Sequence, residues 1–498
     1  MKEKQIKARL FKLSPYIWWN IALALGLVFL MLLLILITSR GSNRLINVEL
    51  RNQNELGAAS YNQAITFEFT RPLSPDLRGS IADYISFEPP IEGVFRAIDR
   101  SITFSAAGPL TYDTEYQIKI SPELKDSYGK PMAAGANYRF KTKPLQFLYA
   151  TRAERYQNLE LGRVLRKVAV EETPAVEIET TRIASDMNIR EYAQSIIRPE
   201  IIYTVQNGEA RPTDVYHYNL VTGETTRLEL PTRLNITAPV FSVSGELMFI
   251  GTLPDEDMAN LAPEELPENF SLPYTYDIES GVLKRLEALA SHYGDISAIL
   301  PAPDGNTVLV QKFNFDVIPV SLLTGQSSPL GKFNAFGGFN YKGDNVGVLE
   351  ISLGQVNFYP RAKVMGAEGQ IYTTAGEIYA RDPQIAPEDR LFAYSVRQET
   401  MELSEGRFGL RVVDYLDSGK QVLDYQEAEM SIELAKFSPE GAFLAAEFIP
   451  KSILDNISRD ARIYLNPGRP TSSELKLYDF QNNTWIEVGL GYNLLWIK

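Results

Sequence analysis

The sequence predicts an all-β protein behind one N-terminal transmembrane helix, with a β-sandwich followed by a β-propeller of about seven blades. Three observations lead to this prediction. A single apolar run occupies residues 17–37. Short alternating segments separated by turn residues fill residues 44–143. A repeat of turns and apolar strands then continues from residue 145 to residue 498.

The apolar run is long enough to cross a membrane. Its 21 residues rise about 1.5 Å each, or roughly 31 Å in total, which matches the hydrocarbon core of a bilayer. Five bases and one acid lie in the first fifteen positions. The positive-inside rule therefore places residues 1–16 in the cytoplasm. We predict a signal anchor over residues 17–38 that contacts the lipid bilayer, with the C-terminus outside the cell membrane.

A cleaved signal peptide is the alternative to this anchor. Such a peptide has an apolar region of about 7–15 residues, followed by small residues at a cleavage site. The run here is longer and ends in Thr38-Ser39-Arg40-Gly41. The sequence therefore favours an uncleaved anchor.

The charge balance restricts the partners of the body. The 498-residue chain has a formal net charge of −13, and the residues after the fifteenth carry 44 bases and 61 acids, a net of −17. Such a body repels phosphate backbones and anionic headgroups, so nucleic acid is not expected as a partner. Cations, basic proteins and neutral glycans stay open.

The chain has no cysteine and only two histidines, which narrows its chemistry. Thiol catalysis, thiolate zinc sites and disulfides are excluded. His217 lies in an alternating strand, where a packed or edge-facing ring is expected. His292 lies in a predicted loop near Asp295, but no nucleophile accompanies it. No phosphate loop or Gly-x-Ser-x-Gly motif occurs, so we predict no catalytic residue, no cofactor and a non-enzymatic protein.

The segment 44–143 reads as about seven short strands, which is typical of a β-sandwich. Its pieces, in order, resemble the bacterial Ig-like domain of the SbsA type. The matching stretches are ITFEFTRPL at 65–73, FEPPIEG at 87–93, SITFSAAGPLTYDTEYQIKI at 101–120, LKDSYGKPM at 124–132 and YRFKTK at 138–143. The resemblance implies a spacer or an adhesive module on a cell surface, and we favour the spacer.

Residues 145–498 contain two recurring elements. The first is a turn between two apolar strands, with turn positions 60, 38, 46 and 52 residues apart, at Gly245, Gly305, Gly343, Asp389 and Gly441. The second is a strand, a tight turn and the start of another strand, in segments 215–228, 274–286, 317–330, 410–423 and 475–488. Such a period with about four strands indicates a β-propeller. These pieces resemble TolB-type propeller repeats.

The two ends of this region are predicted to share one blade. Segments 145–151 and 158–170 are typical of outer strands, and 492–497 is typical of an inner strand. A shared blade would close the ring and leave no open edge within it. It brings the count to about seven blades. Six or eight stay open, because the region 176–230 has no clear turn motif.

An acidic stretch at 254–270 is the strongest candidate site in the sequence. It interrupts a predicted blade and contains no base. Long loops in compact domains are often functional, and carboxylates bind calcium. We therefore expect either a calcium site or a contact with a basic partner, although the spacing does not fit an EF-hand. A solvated insertion is the alternative. The candidate residues are Asp255, Glu256, Asp257, Glu264, Glu265 and Glu268.

Taken together, these patterns favour a membrane-anchored extracytoplasmic binding or scaffold protein. In this reading the Ig-like domain is the spacer, and the propeller binds an envelope protein or a glycan. The alternative is a glycan-active enzyme that uses two carboxylates in the propeller channel. A mixed or apolar channel lining would count against that alternative. A transmembrane sensor is a third reading, and it would require a partner in the membrane.

Overall fold

A computed structural model of the chain describes most of the two predicted regions. The described residues are 15–40, 43–50, 64–107, 110–153, 156–167, 175–186, 188–195, 197–206, 212–261, 271–340, 342–350, 360–366, 368–374, 379–397, 407–450 and 473–497. The chain divides into two compact units. The first comprises residues 1–51, 62–107 and 115–141, and the second comprises residues 52–61, 108–114 and 142–498.

The first unit begins with helix α1, Pro15–Arg40. Its side chains are described at Tyr16 and at residues 18–33, and large apolar ones such as Trp19 and Phe29 are exposed. Within the described part of the chain, we find no helix that is both long and apolar enough to cross a membrane.

The rest of the first unit is a sandwich of two antiparallel sheets. One sheet has the order β1-β2-β5-β4 and the other has the order β3-β6-β7. Two short 3-10 turns, Pro75–Gly79 and Ile81–Asp83, precede β3. The strands are β1 Leu45–Leu50, β2 Ala64–Phe69, β3 Ile85–Glu88, β4 Gly93–Ile98, β5 Ser101–Ala106, β6 Glu115–Ile120 and β7 Ala136–Lys141.

The sandwich core follows from alternation along the strands. In β2, the side chains of Ile65, Phe67 and Phe69 are buried, while the residues between them are more exposed. This is the period-two pattern that the sequence predicted. Phe104 on β5 packs between two further rings, with ring centroids 4.5 Å from Phe87 and 4.7 Å from Phe95. One apolar layer therefore joins the two sheets.

The second unit consists of seven four-stranded antiparallel sheets. Six are consecutive in the chain and are called blades 1 to 6, and the seventh is the shared blade, in which β35 pairs with β8. The strands are β8 Leu145–Ala153, β9 Tyr156–Lys167 and β10 Ala175–Asp186; blade 1, β11 Ile189–Gln194, β12 Glu200–Val205, β13 Asp214–Asn219 and β14 Thr225–Leu228; blade 2, β15 Asn235–Phe241, β16 Leu247–Thr252, β17 Ser271–Asp277 and β18 Val282–Arg285; blade 3, β19 Ile296–Pro301, β20 Thr307–Lys312, β21 Asp316–Ser321 and β22 Gly331–Lys332; blade 4, β23 Ala335–Phe339, β24 Asn345–Glu350, β25 Arg361–Gly366 and β26 Gly369–Thr373; blade 5, β27 Ala380–Ile385, β28 Leu391–Arg397, β29 Phe408–Asp414 and β30 Lys420–Tyr425; blade 6, β31 Met430–Phe437, β32 Phe443–Pro450, β33 Glu474–Asp479 and β34 Thr484–Leu490; and finally β35 Tyr492–Ile497.

Apolar cores between neighbouring sheets close the ring. Phe249 of blade 2 shares a core with Ile202 of blade 1, and each later pair of blades is joined in the same way. Two further cores join the shared blade to blade 1 and to blade 6. A closed ring of seven sheets is a β-propeller, because each sheet buries both of its faces against its neighbours.

The shared blade has the strand order β35-β8-β9-β10, with the last strand of the chain innermost. Trp496 on β35 lies opposite Phe147 on β8, and their ring centroids are 5.5 Å apart. The expected pairing of the two ends of the propeller is therefore present. It supplies the seventh blade of the sequence-based count.

The connection between the first and second strands of each blade is unusually uniform. In blades 1 to 6 it has five residues, at 195–199, 242–246, 302–306, 340–344, 386–390 and 438–442. The predicted turn positions all have a left-handed backbone, with φ between 62° and 84°. In this conformation glycine has no steric cost, and aspartate is among the few other residues that tolerate it.

The connection between the third and fourth strands uses a polar residue at the end of the third strand. The Oδ1 atom of Asp277 accepts hydrogen bonds from the N–H groups of Glu279 and Ser280, at 3.0 and 3.4 Å. Three more blades repeat this device at Asn219, Asp414 and Asp479. This local capping explains the second recurring sequence element.

Two connections between strands of the second unit contain a helical segment. A short helix, α2, spans Asp255–Met258 between β16 and β17. A 3-10 turn spans Glu287–His292 between β18 and β19.

Candidate functional site

The innermost strands, which line the channel of a propeller, all carry an irregularity. The register shifts in β11, β15, β19, β23, β27, β31 and β35 against the next strand of the same blade. Four non-glycine residues at these shifts have a left-handed backbone: Ala238, Asp382, Leu434 and Asn493. A β-bulge re-aims side chains and frees backbone groups from the ladder, so these strands have backbone groups that can pair outside their own blade.

Carboxylates on one blade bind the freed amides on the next. Asp382 accepts the N–H of Leu434 at 3.5 Å, and Glu447 accepts the N–H of Asn493 at 2.5 Å. Glu191 accepts the N–H of Ala238, which lowers its pKa, but burial has the larger effect and raises it. These acidic groups therefore stabilise the junctions between blades.

An ion pair joins the innermost strands of blades 5 and 6. Arg381 on β27 pairs with Glu433 on β31, and the Glu433 side chain is only 4% exposed. The Arg381 guanidinium also lies 3.6 Å from the ring centroid of Phe408. The hydroxyl of Ser431 lies 3.2 Å from Glu433 Oε1 and donates to it, and it accepts the N–H of Phe408 at 3.1 Å. The carboxylate thus has both an ionic and a hydrogen-bonding partner.

A second ring and a second guanidinium group, both in blade 5, extend this cluster. The rings of Tyr379 and Phe408 have centroids 5.7 Å apart, and Arg397 lies 6.0 Å from the Tyr379 centroid. Two guanidinium groups therefore flank two neighbouring rings, in the order Arg397, Tyr379, Phe408, Arg381. We call these four residues together with Glu433 the channel cluster. Because Phe408 is buried and Arg381 covers its ring, the inner part of this cluster stabilises the contact between blades 5 and 6.

Two acidic residues, one of them in the channel cluster, lie opposite each other on neighbouring strands of blade 6. Glu433 on β31 is the direct partner of Glu447 on β32, and both residues are buried. Directly opposite residues have Cα atoms about 4.5–5.5 Å apart in an antiparallel pair. Sequence reasoning missed both residues, because nothing in an acid-rich chain marks which acids converge. The channel strands also carry Arg190, Arg381 and Lys436, so their polar lining has both signs of charge.

The two histidines lie in separate parts of the propeller, one in a strand and one in a connection between blades. His217 is on β13 of blade 1, where its Nε2 lies 3.0 Å from Oε2 of the buried Glu200. It therefore packs within the blade, as its alternating strand indicated. His292 ends the 3-10 turn between blades 2 and 3 and is 8% exposed. Asp295, the neighbour expected to orient it, instead lies 3.4 Å from the Lys312 ammonium.

The acidic stretch is partly described. Asp255, Glu256 and Asp257 lie in α2, and Arg233 lies 3.3 Å from Glu256 and 3.2 Å from Asp257. The stretch has no base of its own, but the fold brings this arginine to it from the connection between blades 1 and 2. Among the described residues, no group of three acidic or histidine side chains could hold a metal ion. Three of the predicted candidates, at Glu264, Glu265 and Glu268, lie outside the described residues.

Comparisons with known proteins place this architecture in context. No curated protein matches the sequence. Among solved structures, TolB from Acinetobacter baumannii matches with 15% identity and a TM-score of 0.37, over 61% of this chain and 75% of that chain. The β-propeller domain of the Trilobed protease from Pyrococcus furiosus matches with 12% identity and a TM-score of 0.41, over 68% and 95%. An oligogalacturonate lyase in complex with manganese matches with 11% identity and a TM-score of 0.41, over 70% and 85%. At the level of sequence families, residues 52–142 match the model of the bacterial Ig-like domain, which confirms the domain type that the sequence predicted for this region.

Proposed function

We propose that this chain is a membrane-anchored extracytoplasmic binding or scaffold protein, in which the Ig-like domain is a spacer and the propeller is the interaction module. The observation that carries this proposal is a difference between the two faces of the propeller. One face carries the five-residue turns and third-to-fourth connections of 2 to 9 residues, whereas the other bears connections of 1 to 23 residues.

The assignment of connections to faces follows from strand alternation. In a four-stranded antiparallel sheet, the first-to-second and third-to-fourth connections lie at one end of the blade. The second-to-third connection and the link to the next blade lie at the other end. The second-to-third connections range from 2 to 23 residues, at 154–155, 206–213, 253–270, 313–315, 351–360, 398–407 and 451–473. We call this end the loop-bearing face, and the opposite end the turn face.

The turn face has the characteristics of a rigid scaffold. Its five-residue turns contact one another from blade to blade. A Cβ atom placed on Gly305 of blade 3 would lie 2.4 Å from Val243 of blade 2. One placed on Gly245 of blade 2 would lie 2.5 Å from Ile197 of blade 1. Variable loops on a rigid framework are the usual arrangement of a binding surface, so the loop-bearing face is the proposed interaction surface.

The anchor is proposed on the sequence of the N-terminal region. The apolar run at 17–37 follows a basic segment, and its residues form a helix whose described apolar side chains are exposed. A lipid bilayer at residues 17–38 would cover these side chains. The body would then lie outside the membrane, with the N-terminus in the cytoplasm. Protease added to intact cells should digest the body and spare an N-terminal tag, and the opposite pattern would overturn this topology.

Binding can be tested with the full chain in detergent, incubated with cell-envelope fractions and with a glycan array, each with and without calcium. A saturable protein or glycan ligand would support the proposal. Calcium-dependent binding would assign the ion to the acidic stretch. Failure to retain any protein or glycan would overturn the binding role.

Two variants locate the binding surface within the same experiment. Replacement of residues 255–268 by a short Gly-Ser linker changes only the loop-bearing face, and it should leave the melting temperature unchanged. The matched control, Glu246→Gln, changes one charge in a turn on the opposite face. Weaker binding by the loop variant alone is the expected result. Equal weakening by both variants would contradict the assignment of faces.

The alternative function is a carboxylate-dependent glycan-active enzyme, and the pairing of Glu433 with Glu447 favours it. The bulge amide and the arginine that bind these carboxylates, and the mixed charges of the channel strands, favour the binding role instead. Incubation of the array glycans with the protein, followed by mass spectrometry, separates the two. Shortened or unsaturated products that are absent with Glu433→Gln would establish the enzyme.

A further inference from the structure

The two histidines of the chain differ in their hydrogen bonding. The Nε2 atom of His217 is hydrogen-bonded to Oε2 of Glu200, at 3.0 Å. His292 is buried, at 8% exposure, and among the described residues neither Nδ1 nor Nε2 has a hydrogen-bond partner. Buried polar atoms normally have partners, and an unpaired one destabilises the fold. The unpaired imidazole of His292 is therefore an exception that requires a physical account.

His292 lies in a turn that is anchored in an apolar core. Leu289, in the same 3-10 turn, is fully buried in the core between blades 2 and 3. The turn is fastened at both sides. The hydroxyl of Tyr293 donates to the carbonyl oxygen of Leu286 at 3.0 Å, and the N–H of Gly294 donates to the carbonyl of Ser271 at 3.1 Å. The imidazole is therefore held inside by the packing of its neighbours.

The charged groups around this turn come from each element packed against it. Lys312 on β20 and Asp295 ahead of β19 form an ion pair at 3.4 Å. Asp316 on β21 lies 3.9 Å from Lys332. Glu287 begins the turn itself. Lys312 and Asp295 are the two that act on His292, with opposite signs.

Protonation of this imidazole in place is unfavourable. Burial lowers the pKa of His292, the Lys312 charge lowers it further, and Asp295 partly opposes both. A protonated ring would present two N–H donors without an acceptor. Because the folded-state pKa lies below the unfolded one, the neutral form stabilises the closed turn above the unfolded pKa. That stability is lost as the pH falls.

We propose that His292 is a pH-sensitive switch, whose protonation opens the connection 286–295 between blades 2 and 3. Opening would expose the protonated ring to water, and water would accept hydrogen bonds from its two N–H groups. The link between two blades lies on the loop-bearing face, so acidification would remodel that face. This inference concerns the chain itself, and it holds whichever partner the proposed function has.

Hydrogen exchange of the full chain in detergent tests the proposal. Protection of peptides covering 286–295 is measured at pH 7.5 and pH 5.5, after correction for the intrinsic exchange rate. In the wild type it should fall by up to about tenfold, because pH 5.5 lies about one unit below the unperturbed imidazole value of about 6.5. His292→Phe replaces the unpaired nitrogens with an apolar ring and should abolish the fall. His217→Gln, which retains a donor for Glu200, should leave the fall intact.

An equal fall in protection in His292→Phe and in the wild type would overturn the switch, as would unchanged protection in the wild type. An NMR titration of the wild-type protein is a second measurement. It needs no variant, so it tests the proposal even if His292→Phe does not fold. With only two histidines, imidazole-labelled wild-type protein gives two NMR titrations. One should have a midpoint below about 6.5, the unperturbed value. Two midpoints at or above that value would contradict the proposal.

Discussion

Gly305 and Gly281 have nearly the same left-handed backbone, with φ of +73° and +68°, but they meet different surroundings. A Cβ on Gly305 would lie 2.4 Å from Val243, whereas the nearest atom to a Cβ on Gly281 would be 3.9 Å away, on Tyr276. The first glycine is needed for its backbone and for its lack of a side chain. The second is needed for its backbone alone.

Substitution of each glycine by alanine separates the cost of a left-handed backbone from the cost of a steric clash. Gly281→Ala should lower stability by about 1–2 kcal/mol, the price of a left-handed alanine. Gly305→Ala adds a clash with the short, half-buried side chain of Val243, so we expect about 1–3 kcal/mol more. Differential scanning calorimetry should show the larger fall in melting temperature for Gly305→Ala. Equal falls would refute the contact between the turns of blades 2 and 3.

The pair formed by Arg381 and Glu433 offers a second test at this scale. Loss of one member of a buried ion pair leaves an uncompensated charge, which costs about 3–5 kcal/mol. Arg381→Met should therefore destabilise the propeller strongly, and the addition of Glu433→Leu should restore most of the melting temperature. If the channel cluster also binds the ligand, the restored double variant will fold but will not bind. A double variant no more stable than Arg381→Met would refute the pairing.

At this scale the sequence predicted residues whose role is local. Each of these turns requires a residue that tolerates positive φ. Glycines such as Gly245 and Gly441, which recur once in most blades, therefore mark the turns in the sequence. Arg381 and Glu433 lie 52 positions apart, and they meet only when blades 5 and 6 pack together. His292 was predicted in a loop, but its burial depends on the core between two blades. No local pattern records either fact.

At the scale of elements, the strand-and-turn repeat revealed most of the blades. Blade 1 was obscure because its turn, 195–199, has Arg198 where most other blades have glycine. The turn nevertheless has the same five residues, and the Ser195 hydroxyl accepts the N–H of Arg198 at 3.2 Å. The bulges of the innermost strands were not predictable, because they serve contacts between blades.

The strand β35 is the element on which ring closure depends. Removal of residues 492–498 would expose the edge of β8 and open the core that contains Trp496 and Phe147. We expect the calorimetric transition of the propeller to broaden and fall. A synthetic peptide of residues 490–498, added in trans, should restore it, and a scrambled peptide should not. An unchanged transition in the truncated protein would show that the ring does not need this strand.

At the scale of the whole molecule, each described unit has its own buried core. The sandwich is held by its inter-sheet layer, and the propeller by seven cores between blades. We therefore expect the protein lacking residues 1–38 to be soluble and to melt cooperatively, while the full chain requires detergent. Deletion of residues 2–8 alone is the control and should still require detergent. Aggregation of the shorter protein without a cooperative transition would contradict the division into domains.

The shared blade also fixes the order in which the protein can be completed during synthesis. Leu148 and Leu495 are partners across β8 and β35, so the inner edge of β8 waits for almost the entire propeller to be made. At ribosomal rates of about 5–20 residues per second, this wait lasts roughly 20–70 s. Throughout that interval the nascent chain presents an unpaired strand edge, which is prone to aggregate. A chain that stops before residue 492 therefore leaves the inner edge of β8 unpaired and the ring open.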